Sequence, residues 1–382
     1  MKYYIIFFST LLSTHVFSQN EYWVKKVNET TYILTEVWEE DNNGNLGVII
    51  GDDGVLLIST LMMSSAEDLE KEIRKITNKP IKYIINSDHD TYNHHANKYF
   101  HDRGATIFSH QNLKYSNAFT DILFDHHISI PMGNEVVTAY HTPSHTLDHI
   151  DIYLEKSNVL FMSDAFRGDW LTYTGPNGVN GYLKGIDKAL SISDDRTIIV
   201  SGNTVKDKKN YLYNRDDLIR MRQIHIAFTN RINELHKKGM KAKNIVKDKQ
   251  IDNLVKDLQA YATHQPYLKY LIMEALEVNS NETYSLTKEQ LSFYVGIYEL
   301  INNRSLEIIL QSDKLYARKE GAFFFELTPL SDTKFDFKGL TDSNHLEFNF
   351  SSNGKIKSLT PVLEKDGWWF NIIKEGTRIK IE

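Results

Sequence analysis

Ile85-Asn86-Ser87-Asp88-His89-Asp90-Thr91-Tyr92-Asn93-His94-His95-Ala96-Asn97 is the stretch whose reading decides the fold. It is crowded with carboxylate, imidazole, amide and phenol groups, and Lys98-Tyr99-Phe100 carries it into an expected helix. Side chains of these kinds bind a cation or hydrogen-bond one another. The chain has no cysteine, which removes disulfides, thiolate ligands and cysteine nucleophiles. Any metal chemistry here therefore rests on oxygen and nitrogen donors.

The stretch resembles the metal-binding loop of the metallo-β-lactamase superfamily, where a buried strand ends in N-T-H-x-H-x-D-H-x-x-G-N and delivers ligands to one or two metal ions. Asn86, Ser87 and Asn97 fit that frame without a gap. At the ligand positions, Asp88 and Asp90 replace the two first-site His, Tyr92 replaces the Asp and Asn93 replaces the second-site His. Further motifs of the family follow in order. Gly47 to Ile58 looks like the first hairpin, with Asp52-Asp53-Gly54 as its turn. His141-Thr142-Pro143-Ser144-His145-Thr146 looks like the next ligand loop, and His145 matches its ligand. Val159-Leu160-Phe161-Met162-Ser163-Asp164 looks like the strand ending in the bridging carboxylate. In Ile198-Ile199-Val200-Ser201-Gly202-Asn203, the last position holds Asn203 instead of the final ligand His.

The resemblance implies an α/β fold, a four-layer αββα sandwich, and a hydrolase. It also implies that the substitutions fall unevenly on the two metal sites. The first-site positions hold Asp88, Asp90 and His145, joined by Asp164, all able to bind a metal; the second-site positions hold Tyr92, Asn93 and Asn203. Three carboxylates and one imidazole favour Mn²⁺, Fe or Mg²⁺ and also suit Zn²⁺. Converging carboxylates repel one another unless a cation or a proton intervenes. The expectation is at most one divalent metal (Zn, Mn or Fe), with Asp90 or Asp164 holding a water for attack on an ester, lactone, thioester or amide. A Tyr92 phenolate would make the set suit Fe³⁺. The alternative is a pseudoenzyme without metal, in which these groups hydrogen-bond one another and the pocket binds a ligand or serves as a scaffold.

Asp148 and His149 follow His145 closely and are expected to orient it. His94 and His95 are expected at the surface or in packing, and His141 at a strand end. No G-x-S-x-G elbow and no Gly-rich phosphate loop occur, so serine-hydrolase and nucleotide chemistry are disfavoured. The net charge of -6 and the lack of a basic phosphate-tracking stretch argue against nucleic acid, leaving a small-molecule substrate or ligand as partner. Lys237, Lys238, Lys241 and Lys243 read as the solvated end of a helix.

The 382 residues, 41% of them hydrophobic, suffice for more than one domain. Residues 1–18 have the shape of a signal peptide, with Lys2, an apolar run from Tyr3 to Leu12, and Val16 and Ser18 at cleavage positions. The run is too short to span a bilayer, so a secreted or periplasmic protein without a membrane span is expected. Residues 19–205 form the sandwich by this reading. Residues 206–284 form a helical extension, with Leu218, Met221, Ile224, Phe228, Ile232 and Leu235 on one face. Residues 285–382, opening on Tyr294-Val295-Gly296-Ile297-Tyr298, resemble the β-barrel-like domain appended to serine β-lactamase-like proteins. Phe323-Phe324-Phe325 and Trp368-Trp369-Phe370 are expected in its core.

Overall fold

A computed structural model describes residues 21–362 apart from 39–42, 116–117, 175–177, 205–211, 259–267, 270, 273–274, 277–283, 301–303, 312, 320–323, 338–344 and 352–353. Residues 1–18, Phe323 and Trp368-Trp369-Phe370 lie outside the described residues, as do the side chains of Phe324 and Phe325.

The first sheet runs in chain order through β1 (Tyr22–Lys26), β2 (Thr31–Val37), β3 (Asn43–Ile50), β4 (Val55–Ile58), β5 (Ile81–Ile85), β6 (Thr106–His110) and β7 (Ile122–Phe124). Its first half is antiparallel. From β4 to β7 the pairing is parallel, because helical crossovers return the chain to the same edge. The Asp52-Asp53-Gly54 turn closes the β3–β4 hairpin through Gly51 N to Gly54 O at 2.8 Å. The second sheet orders β8 (His127–Met132), β9 (Glu135–His141), β10 (Ile150–Leu154), β11 (Val159–Ser163) and β12 (Ile198–Ser201) as β12-β11-β10-β9-β8. The short β13 (Asn203–Thr204) crosses back to pair with β3, tying the two sheets together at one end.

Three apolar layers explain the stacking. Ile33, Ile49, Leu56 and Ile85 of the first sheet meet Val137, Ile152, Phe161 and Val200 of the second. The outer face of the first sheet, Leu46, Val48 and Leu57, is covered by Leu69 and Ile73 of helix Ala66–Ile76. The outer face of the second, Leu160 and Met162, is covered by Tyr182 and Ile186 of helix Gly178–Ile192 and by Leu218, Met221, Phe228 and Ile232 of helix Arg215–Lys237. A strand with apolar side chains on both faces needs a cover on each side, so helix, sheet, sheet and helix stack in that order. The predicted apolar face of the long helix is therefore its buried face, and Lys237, Lys238, Lys241 and Lys243 are exposed beyond it.

The C-terminal part is a separate antiparallel meander, β14 (Gly296–Leu300), β15 (Arg304–Gln311), β16 (Lys314–Lys319), β17 (Phe324–Pro329), β18 (Lys334–Phe337), β19 (His345–Phe350) and β20 (Ile356–Val362). Tyr294 and Tyr298 of the opening motif join Phe335, Phe337 and Phe348 in its core. The Tyr298 hydroxyl donates to the Tyr294 carbonyl at 2.9 Å. This meander touches the sandwich beside the ligand loop: Leu147 packs on Ile309 and Tyr316, and Gln311 Nε2 donates to Asn112 Oδ1 at 3.0 Å. Among the described residues, no helix is long and apolar enough to cross a membrane.

Candidate metal centre

The quoted stretch leaves β5 as a loop over Asn86 to Asp90 and enters a single helical turn, Thr91–His94. Its frame is set by amides. Asn86 and Asn97 exchange hydrogen bonds at 3.1 and 2.8 Å, and Asn86 Nδ2 also holds the Asn93 carbonyl at 2.8 Å. Asp90 stands before the helical turn without capping it, which leaves its carboxylate for other partners. On the facing strand, Ser163 adopts a left-handed conformation with φ 43° and ends β11. That is a costly backbone state for a serine, and it turns the following Asp164 toward the loop.

Asp90, His145 and Asp164 come together: one ligand atom from each lies within 4.8 Å of the others, and all three residues are buried. His145 Nδ1 donates to the Tyr173 carbonyl at 2.9 Å, so Nε2 faces Asp90 Oδ2, 3.3 Å away. Burial pushes the Asp90 carboxyl up to about 7, against the His145 hydrogen bond and with help from Asp88 and Asp164. For His145, burial alone would lower the basicity, but the Asp90 hydrogen bond and the three carboxylates raise it to about 9. Asp164 accepts from three donors: the Tyr92 phenol on Oδ2, and Asn203 Nδ2 and Arg167 Nη2 on Oδ1, each at 3.3 Å.

Asp88 does not join this group. Its Oδ1 accepts from Asp90 N at 3.0 Å and Asn93 Nδ2 at 2.7 Å, and its Oδ2 faces His149 Nδ1 at 3.4 Å. Carboxylates reach less far than imidazoles, so the Asp88 side chain is taken up by its own loop on one oxygen and by His149 on the other. Asp148 and His149 also differ from expectation, since the hydrogen bonds of their side chains do not run to His145. His149 lies between Asp88 and Asp151, with Nε2 3.2 Å from Asp151 Oδ1. Although burial would lower its basicity, these two carboxylates raise it to about 10 and keep it an imidazolium. Asp148 instead faces His89, with 2.6 Å between Oδ1 and Nδ1. His94 is a packing residue, Nε2 on the His89 carbonyl at 3.0 Å, and His141 ends β9, stacked on His110.

The positions expected to be degenerate behave as hydrogen-bonding groups. Asn93 divides its amide between Asp88 and Ser163, and Asn203 bridges Tyr92 and Asp164. Burial and nearby carboxylates drive the Tyr92 phenol well above its ordinary range, and it donates to Asp164.

Sequence reasoning missed Arg167, Trp170 and Tyr173. The signal for Arg167 was its place, three residues after Asp164, in a run of apolar residues. Its segment is held tightly: Phe166 packs edge-on to Tyr213 at 5.5 Å, and a Cβ on Gly168 would overlap the Tyr213 ring. Gly168→Ala is accordingly expected to cost about 1–3 kcal/mol by overpacking, read from the urea unfolding midpoint.

The donor set fits one divalent cation with oxygen and nitrogen ligands. His145 offers Nε2, Asp90 meets it through Oδ2 alone, and Asp164 Oδ2, with Tyr92 as its hydrogen-bond donor, has a lone pair left for a cation. No other such group occurs among the described residues.

No family sequence model matches the chain, and no match was found among curated proteins. Among solved structures, a stereoselective inverting sec-alkylsulfatase from Pseudomonas sp. is 16% identical with a TM-score of 0.52, over 71% of this chain and 53% of that one. The chain thus spans about half the length of that sulfatase. A metallo-β-lactamase from Pontibacter korlensis is 14% identical with a TM-score of 0.48, over 54% of this chain and 99% of that one. The fold is the metallo-β-lactamase fold with an appended C-terminal β domain.

Proposed function

We propose that this chain is a hydrolase of an ester, lactone, thioester or amide, centred on Asp90, His145 and Asp164 with one divalent cation. The observation that carries this reading is the convergence of those three ligand atoms within 4.8 Å in a buried place. A cation bound there would supply Lewis acidity toward an acyl carbonyl and make a bound water more acidic.

The residues of the chain do the rest. The Tyr173 carbonyl fixes the His145 ring so that Nε2 points inward. Asp90, which meets His145 through Oδ2 alone, has its other oxygen for a bound water and suits the role of general base. Tyr92, Asn203 and Arg167 fix the orientation of Asp164. The β13–β3 pairing sets Asn203 against the first sheet and closes that end of the site.

A second reading is a ligand-binding protein without turnover. It is supported by Asp164, whose two oxygens are already met by a phenol, an amide and a guanidinium. Elemental analysis of the purified protein beside an Asp90→Ala/His145→Ala variant separates the two. About one equivalent of metal, lost in the variant, is expected. Absence of metal from the parent protein after dialysis against Mn²⁺ or Zn²⁺ would sink the hydrolase reading in favour of the second.

A further inference from the structure

A cavity of about 630 Å³ lies between helix Gly178–Ile192 and the strands β8 and β9, and none of Asp90, His145 and Asp164 lines it. It is on the helix-covered face of the second sheet. Val137 and Ala139 of β9 belong to the inner layer, so the alternate residue Tyr140 points outward, toward Lys188 of the helix. Lys184 and Lys188, one helical turn apart, line the cavity on one side, and His126 and His127 line it on the other. Among the described residues no carboxylate lines it, although the chain carries a net charge of -6.

The acids that flank these residues in sequence are already matched. Asp187 meets Arg222 at 2.7 and 3.2 Å, and Asp125 accepts from Gln111 Nε2 at 2.7 Å with His126 Nε2 3.5 Å from its other oxygen. Lys184 and Lys188 have no carboxylate partner among the described residues, and like charges one turn apart repel. An anion between them removes that repulsion. The Tyr140 ring holds one of the two charges in place, with Lys188 Nζ 4.3 Å from its centroid. Thr142, only 7% exposed, also lines the cavity, and its hydroxyl has no hydrogen-bond partner among the described residues. A buried hydroxyl left unmet is costly, and a ligand oxygen would meet it. The wall is tightly built, since a Cβ on Gly185 would overlap the Ser144 side chain.

We propose that this cavity is a second ligand site, separate from the metal centre, and that it binds a small phosphate ester. The dianionic phosphate sits between the Lys184 and Lys188 ammonium groups, and the organic part fills the space that the side-chain-free Gly181 leaves beside them. Thr142 and Pro143 of its wall begin the loop that leads to His145, so the site adjoins the centre without sharing a ligand residue. It is independent of the hydrolase reading and of whether a metal binds.

The test is isothermal titration calorimetry of the full chain with phenyl phosphate, inorganic phosphate and benzoate. It compares the parent protein with Lys184→Gln/Lys188→Gln, Gly181→Leu and Asp90→Ala/His145→Ala. Phenyl phosphate is expected to bind the parent more tightly than either other probe, because it alone joins a dianion to a body that fills the cavity. Its affinity is expected to fall about tenfold or more in Lys184→Gln/Lys188→Gln, and likewise in Gly181→Leu, whose added side chain occupies the cavity. In Asp90→Ala/His145→Ala it is expected to be unchanged. No binding of phenyl phosphate by the parent, equal affinity in the parent and the lysine variant, or loss of binding in the metal-centre variant overturns the proposal. Inorganic phosphate or benzoate binding as tightly as phenyl phosphate overturns the ligand class. Should the double lysine variant fail to fold, Lys184→Gln alone decides, since Lys184 is exposed: undiminished binding would overturn the assignment.

Discussion

Asp88→Ala is expected to destabilise the fold by about 3–5 kcal/mol, because it leaves a buried cation without its counter-charge. Asp88 is 1% exposed and holds Asp90 N, Asn93 Nδ2 and the His149 imidazolium at once. Removing the carboxylate strands His149 beside Asp151 alone and frees the backbone that positions Asp90. Burial, the largest single influence, tends to raise the Asp88 carboxyl, but the hydrogen bond and charge of His149, the charge of His145 and the Asp90 N–H together hold it below its ordinary range. It is therefore ionised at neutral pH. Urea unfolding of Asp88→Ala beside Asp90→Ala provides the check. Asp90→Ala should lose metal and cost less stability than Asp88→Ala, because Asp90 braces no backbone N–H and Asp164 and Asp88 still face His145. If Asp88→Ala unfolded like the parent protein and lost metal instead, Asp88 would be a ligand and not an internal brace.

Stability should fall by about 3 kcal/mol between pH 6.5 and pH 4 through His225 alone, by linkage from a folded value near 4 to the unfolded value. His225 is buried in helix Arg215–Lys237, with Nδ1 on the Met221 carbonyl at 2.9 Å and its ring packed on Tyr182. Burial lowers its basicity, so the unfolded chain takes up the proton first. The contribution is fully present above pH 6.5 and lost as pH falls through about 4. His94 and His110, also lowered to about 4 by burial, act in the same direction. His149 acts in the opposite sense: its raised value stabilises the folded state below pH 6.5, and that contribution is lost as pH rises through about 10. Thermal or urea unfolding across pH should show a maximum near neutrality, with an acid limb that flattens in His225→Leu. An acid limb unchanged in that variant would show that His225 is not its source.

The fold was legible in the sequence because its signals are local. The Asp52-Asp53-Gly54 hairpin, the loop frame Asn86, Ser87 and Asn97, and the strand ending at Asp164 each depend on a few neighbouring residues and their hydrogen bonds. The apolar stripe on helix Arg215–Lys237 follows from its period, and the tyrosines that open the C-terminal meander pack where an aromatic core needs them. The site was legible by position only. Asp90, His145 and Asp164 could be aligned from the motifs, whereas Arg167 and the Tyr173 carbonyl lie outside any motif.

Sequence by itself determined the sandwich, the order of its motifs along the chain and the candidate ligand positions, since turn chemistry and motif spacing are properties of nearby residues. Only the tertiary structure decided which of those side chains meet. Asp88 turned inward to His149, Asp148 to His89, and Asp164 to Tyr92, Asn203 and Arg167. A buried carboxylate takes whichever partner lies within about 3 Å, and such distances between residues far apart in the chain are set by how the two sheets and their helices pack.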